Sequence, residues 1–98
     1  MLFALICTDK PNSLELRIST RPTHVDYLKS LGKSLKLAGP FTGADNNPNG
    51  SLVVIEAADH AAAVAIAAAD PYAKAGLFQS VDIRPWIWTL NNPEAAKV

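Results

Sequence analysis

His24, in Thr20-Arg21-Pro22-Thr23-His24, and Asp70, in Ala69-Asp70-Pro71-Tyr72, are the two side chains of this sequence best suited to exchanging a proton near neutral pH. Brought together, an imidazole and a carboxylate form a proton-transfer dyad. The ring takes or gives the proton, and the carboxylate orients the ring. The chain is sparing with ionisable groups on its apolar faces, which sets the pair apart. Each residue also has a plainer use. His24 can be a core histidine with one satisfied hydrogen bond, and Asp70 before Pro71 is a good N-cap for a short helix.

Four further residues could serve such a site. Arg17 and Arg21 flank the entrance to the helix that carries His24, and a guanidinium forks onto a carboxylate or phenolate; the commoner fate of such arginines is a solvated surface. Ser51 follows Gly50, and Tyr72 follows the Asp-Pro pair. Either hydroxyl could reach a pocket, or could simply begin a strand or pack. His60, near a helix start, is expected to be exposed and inert. The sequence has no phosphate loop, no dinucleotide glycine fingerprint and no Cys/His set with zinc spacing. Two histidines and one cysteine argue against a dedicated transition-metal site. A reaction without cofactor, or simple binding, remains.

The elements that must position these residues follow from pattern. Leu2 to Cys7 is a short apolar run ended by Asp9, Lys10 and Pro11, which predicts a buried strand. Thr20 can cap a helix with Pro22 in its first turn and His24, Tyr27, Leu28 and Leu31 at helical spacing, running to about Lys33. In that setting His24 points toward the sheet from the positively polarised first turn of its helix. Leu35 to Ala38 reads as a brief second strand, and Gly39 to Gly50 as a turn-rich loop bordering the site. Leu52 to Ile55 predicts a third strand, followed by Asp59 as N-cap of an alanine-rich helix from His60 to Ala69.

Pro71 to Leu77 can form one more short helical piece. The last strand is expected over Val81 to Leu90, with Asp82, Arg84, Trp86 and Trp88 on one face and Pro85 requiring an edge or a bulge. Asn91 to Val98 reads as a polar tail. The order is βαββαβ, in one domain spanning residues 1–98.

Nine basic and nine acidic side chains cancel, which leaves no electrostatic footprint for nucleic acid or an anionic membrane. No apolar stretch is long enough to span a bilayer. Cys7 is the only cysteine and lies in an apolar run, so it reads as a core residue of a reduced, cytoplasmic protein. The first and third strands are apolar on both sides. Two helices cover one face of a four-stranded antiparallel sheet, so a second copy of the chain is the expected cover for the other. The competing cover is the long loop and the C-terminal tail. Trp86 and Trp88 could anchor the contact between copies or pack within the subunit.

The chain resembles the YciI-like family of the dimeric α+β barrel superfamily. The likeness rests on Ser13-Leu14-Glu15, Arg17, Arg21-Pro22, His24 with Leu28, Ala38-Gly39-Pro40, Gly50-Ser51, and Ala69-Asp70-Pro71-Tyr72 with Ala75-Gly76. The resemblance implies a ferredoxin-like α+β fold that pairs into a barrel as a homodimer, with His24 and Asp70 as the family's characteristic pair. The wider superfamily includes muconolactone isomerase-like enzymes and cofactor-independent oxygenases acting on small cyclic or aromatic molecules. The expectation is an isomerase- or lyase-type enzyme with His24 as general acid/base, Asp70 as its orienting partner, and Arg17 or Arg21 steering an anionic substrate. The alternative is a noncatalytic module that binds a metabolite or stabilises the dimer.

Overall fold

The computed structural model describes residues 1–94. The elements are β1 (Leu2–Asp9), α1 (Leu14–Ser30), a 3-10 turn (Gly32–Ser34), β2 (Leu35–Thr42), β3 (Pro48–Glu56), α2 (His60–Ala69), α3 (Pro71–Lys74) and β4 (Phe78–Trp86). The strands form one antiparallel sheet in the order β2-β3-β1-β4, with both helix-bearing crossovers on one face. This is the ferredoxin-like α+β arrangement that the βαββαβ reading predicts.

Period-2 alternation divides the sheet. Phe3, Leu5 and Cys7 of β1 and Val53 and Ile55 of β3 join Leu28, Ala57 and Ala63 in the buried core beneath the helices. Asp9 and Ser51 share that parity, so strand geometry carries two polar side chains to the helix-facing side, where both are buried. Cys7 is a core residue, as expected.

Three expectations need correction. The first helix begins at Leu14, not at Thr20, so Pro22 and His24 lie in its interior. A mid-helix proline removes one donor and leaves the carbonyl four residues back unpaired. Here that carbonyl belongs to Ile18, which is exposed, as is Pro22, so water can serve it. The polarised helix terminus expected beside His24 is therefore absent. Secondly, Gly39 to Gly50 is a hairpin rather than a loop: β2 continues to Thr42, β3 starts at Pro48, and only the tip turns, with Asn46 at a φ of 64°. Thirdly, β4 runs from Phe78 to Trp86 instead of Val81 to Leu90, and the preceding helical piece stops at Lys74.

Pro85 lies in an edge strand, where its missing donor is harmless. Asp59 caps α2 through a 2.8 Å bond from the Ala62 N–H. The polar tail expected from Asn91 to Val98 is described only as far as Glu94, and 95–98 lie outside the described residues. Beyond β4 at one edge of the sheet, Glu94 accepts a 2.7 Å bond from Lys36 of β2 at the other edge, so the tail spans the sheet's width. On the face away from the helices, Ala4 and Val54 are buried, Leu2, Ile6 and Leu52 are half-buried, and Leu37 and Trp86 are exposed.

Candidate active site

α1 presents Arg17, His24 and Leu28 to the sheet as its buried stripe, at spacings of seven and four residues. Opposite His24, α2 ends where Pro71 forces Asp70 into an extended conformation, with a φ of −61° and a ψ of 130°. That break turns the carboxylate inward. Asp70 accepts the Tyr72 N–H at 2.9 Å, capping α3, and both its oxygens also face His24 Nδ1, at 2.8 and 3.0 Å. The capping role and the dyad geometry are thus held by one side chain. His24 and Asp70 are both buried. With Nδ1 on the carboxylate, Nε2 is the ring nitrogen left for a ligand, and it has no hydrogen-bond partner among the described residues.

Tyr72 holds the ring from the side. Its own ring stacks on the imidazole at a centroid distance of 3.8 Å and an interplanar angle of 17°, and the Arg17 guanidinium lies 4.8 Å above its centroid. Burial pushes the Tyr72 hydroxyl above its ordinary pKa, against the pull of Arg17 and Arg21. Tyr72 is fully buried, its ring meeting His24, Arg17 and, edge-on, Phe78.

Arg17 is no solvated surface arginine. Its Nε donates to Asp9 at 2.7 Å, and its Nη2 donates to the Gly50 carbonyl and to Ser51 Oγ, each at 2.6 Å. The residue thus ties α1 to β1 and β3. Gly50 is needed at this junction because a Cβ there would lie 2.6 Å from the Cys7 carbonyl oxygen. Asp9 is the residue that sequence reasoning missed. Its parity with Phe3, Leu5 and Cys7 was the available signal, since a carboxylate on the core face of a strand requires a buried partner.

A cavity of about 370 Å³, of a size for a small cyclic molecule, opens beside these groups between α1 and the outer strand β2. Arg17, Arg21, His24, Ser51 and Tyr72 all line it, so the structure brings five of the six sequence-nominated residues around one cavity, with Asp70 bonded to His24. Leu28, Val53 and Ala38 supply apolar surface, and Lys29 adds a cation not anticipated from sequence. No carboxylate lines this cavity, and Arg21 and Lys29 have no ion-pair partner among the described residues. A larger cleft of about 700 Å³, between the β1–α1 connection and the hairpin tip, contains neither dyad residue. His60 is exposed and remote from the dyad cavity, with its ring set edge-on to Phe3.

Fold and cavity together define a ferredoxin-like α+β protein with a ligand-sized pocket between its first helix and its sheet. The chain belongs to the YCII-related domain family, whose model matches residues 1–87. It is similar to Protein YciI of Escherichia coli O6:H1, with 38% identity over 94 residues covering 88% of this chain and 96% of that protein. Among solved structures it is similar to the 5-chloro-2-hydroxyhydroquinone dehydrochlorinase TftG of Burkholderia phenoliruptrix AC1100, determined in complex with 2,5-dihydroxybenzoquinone. That match has a TM-score of 0.85 and 32% identity, over 94% of this chain and 99% of TftG. A fold-level likeness extends to SnoaB, a cofactor-independent oxygenase of Streptomyces nogalater, with a TM-score of 0.55 and 13% identity over 93% of this chain and 96% of that one.

Proposed function

We propose that this protein is a small-molecule enzyme of the isomerase or lyase type, using acid–base chemistry on a planar cyclic anion. One observation carries the reading: a buried imidazole has Nδ1 fixed on a carboxylate at 2.8 Å while its ring lines a ligand-sized cavity. Asp70 selects the tautomer and orientation of the ring, so Nε2 acts as the general acid/base. Tyr72, stacked on the imidazole, prevents it from swinging out of line. Arg21 and Lys29, without ion-pair partners among the described residues, favour a substrate carrying negative charge, and the apolar wall favours a ring. The similarity to TftG, a 5-chloro-2-hydroxyhydroquinone dehydrochlorinase that binds 2,5-dihydroxybenzoquinone, supports the same class of molecule here.

Hydrogen–deuterium exchange at the ring carbons of 2,5-dihydroxybenzoquinone, followed by proton NMR in D2O, tests the reading. The wild-type protein is expected to accelerate exchange and His24→Ala to lower the rate by about 10²-fold or more. Binding without exchange would contradict an enzymatic role and leave a metabolite-binding module.

We also propose that the sheet face opposite the helices is covered by a second copy. Leu37 and Trp86 are exposed on it beside the half-buried Leu2, Ile6 and Leu52. Asp82 and Arg84, alternate exposed residues of β4 without ion-pair partners among the described residues, give the face a self-complementary pair of charges. A two-fold contact uses the same patch on both subunits, and the mixture of apolar side chains with one charge of each sign supports such a contact.

A further inference from the structure

Ser51 is 3% exposed and lines the dyad cavity. Its Oγ accepts a 2.6 Å bond from Arg17 Nη2, so the arginine occupies an acceptor position of the hydroxyl and leaves its proton free to donate. Ser51 Oγ donates no hydrogen bond among the described residues. A buried hydroxyl with an unused donor beside a cavity is the arrangement expected where a ligand supplies the missing acceptor.

Arg17 strengthens the donor. Its guanidinium polarises the Ser51 O–H, and it is itself held by Asp9 at 2.7 Å and by the Gly50 carbonyl at 2.6 Å, so neither group has to reorganise when charge develops nearby. Arg17 Nη1 makes no hydrogen bond within the described residues, and Arg17 also lines the cavity. The Ser51 hydroxyl and the Arg17 Nη1 group are therefore two donors unused among the described residues, on side chains that line the same cavity as His24.

We propose that Ser51, backed by Arg17, is the oxyanion donor of this cavity, and that the substrate is an enolisable ring whose oxygen gains charge when His24 removes a proton from a neighbouring carbon. This rests on the acid–base reading above. In the step, the C–H bond breaks, the proton passes to His24 Nε2, and the electron pair moves through the conjugated ring onto the oxygen. The oxygen accepts the Ser51 hydroxyl. Return of the proton to another carbon completes an isomerisation, and loss of a leaving group completes an elimination. Neither outcome requires an oxidant or a reductant. Arg17 thus acts chiefly through Ser51, as a positioning residue, rather than as the steering arginine expected from sequence; Arg21 is better placed for that task.

The test is titration of 2,5-dihydroxybenzoquinone, followed by its visible absorbance, into the wild-type protein, Ser51→Ala and Ser51→Thr, with circular dichroism confirming that each is folded. Ser51→Ala is expected to weaken binding about tenfold or more, the scale of a lost hydrogen bond to a charged group, and to abolish the absorbance shift of the bound anion. Ser51→Thr, which keeps the hydroxyl, is expected to retain the shift. Equal affinity and an equal shift in wild type and Ser51→Ala would overturn the oxyanion role and leave the acid–base reading standing. Absence of binding by the wild type, at concentrations up to the solubility of the probe, would overturn both.

Discussion

At the residue scale, two polar groups of the site each serve more than one partner. Asp70 caps α3 and orients His24, and Arg17 bonds to Asp9, Gly50 and Ser51 at once. Removing one partner of a buried ion pair leaves the other charge uncompensated, so Arg17→Ala and Asp9→Ala are each expected to lower stability by about 3–5 kcal/mol in urea unfolding. The double variant should cost less than the sum. Asp70→Asn retains an acceptor for the Tyr72 N–H but presents the wrong partner to Nδ1. It should therefore fold with little loss and lower deuterium exchange into the quinone far more than it lowers the melting temperature.

Cys7 gives a pH signature. Burial, followed by the carboxylates of Asp70 and Asp9, pushes its thiol from an ordinary 9.0 up to about 12, against the pull of Arg17. In the unfolded chain the thiol ionises first. Stability from this group is therefore complete below about pH 9 and is lost as pH rises from there to about 12. Tyr27 and Tyr72, both raised by burial, add to the same slope. Cys7→Ala is expected to flatten the dependence measured by urea unfolding at successive pH values.

At the element scale, the βαββαβ order was legible in the sequence because apolar and β-branched runs and helical spacing are local signals. The choice of core face was not, since β1 and β3 are apolar on both sides. The boundaries of α1 and of the β2–β3 hairpin were not. Pro22 reads locally as a first-turn proline, yet burial of Arg17 and Leu28 on one stripe carries the helix through it. Such a proline weakens the helix, so Pro22→Ala is expected to raise stability by about 1–3 kcal/mol; its side chain is exposed and the gain comes from the restored N–H. Glycine, proline and asparagine between 39 and 50 signal a loop, whereas pairing with β3 extends β2 through most of that stretch. The His24–Asp70 contact spans 46 positions, so spacing alone could nominate its members without joining them. Gly50→Ala is expected to destabilise the protein and disturb Ser51 and Arg17 together, because the added Cβ meets the Cys7 carbonyl at 2.6 Å. Chemical-shift changes concentrated around Arg17 and Ser51 would register that displacement.

For the whole molecule, one helix layer leaves one sheet face with exposed and half-buried apolar side chains, crossed in part by the segment that brings Glu94 to Lys36. A homodimer is expected by light scattering at micromolar concentration, as an interface of standard size, about 1,600 Å² in total, would persist there. Trp86→Glu should shift that equilibrium toward monomer, since it places charge on the apolar face. A monodisperse monomer of the unaltered protein would mean that the tail suffices as cover. The proposed chemistry takes place in the cavity between α1 and the sheet, where a buried imidazole on a carboxylate lines a pocket shared with cations and apolar side chains. Its most direct test is the rate of deuterium incorporation into 2,5-dihydroxybenzoquinone in D2O, compared between wild type and His24→Ala at matched folded concentration. The predicted result is exchange above background in wild type and at least about a 10²-fold loss in the variant; equal rates in the two proteins would contradict it.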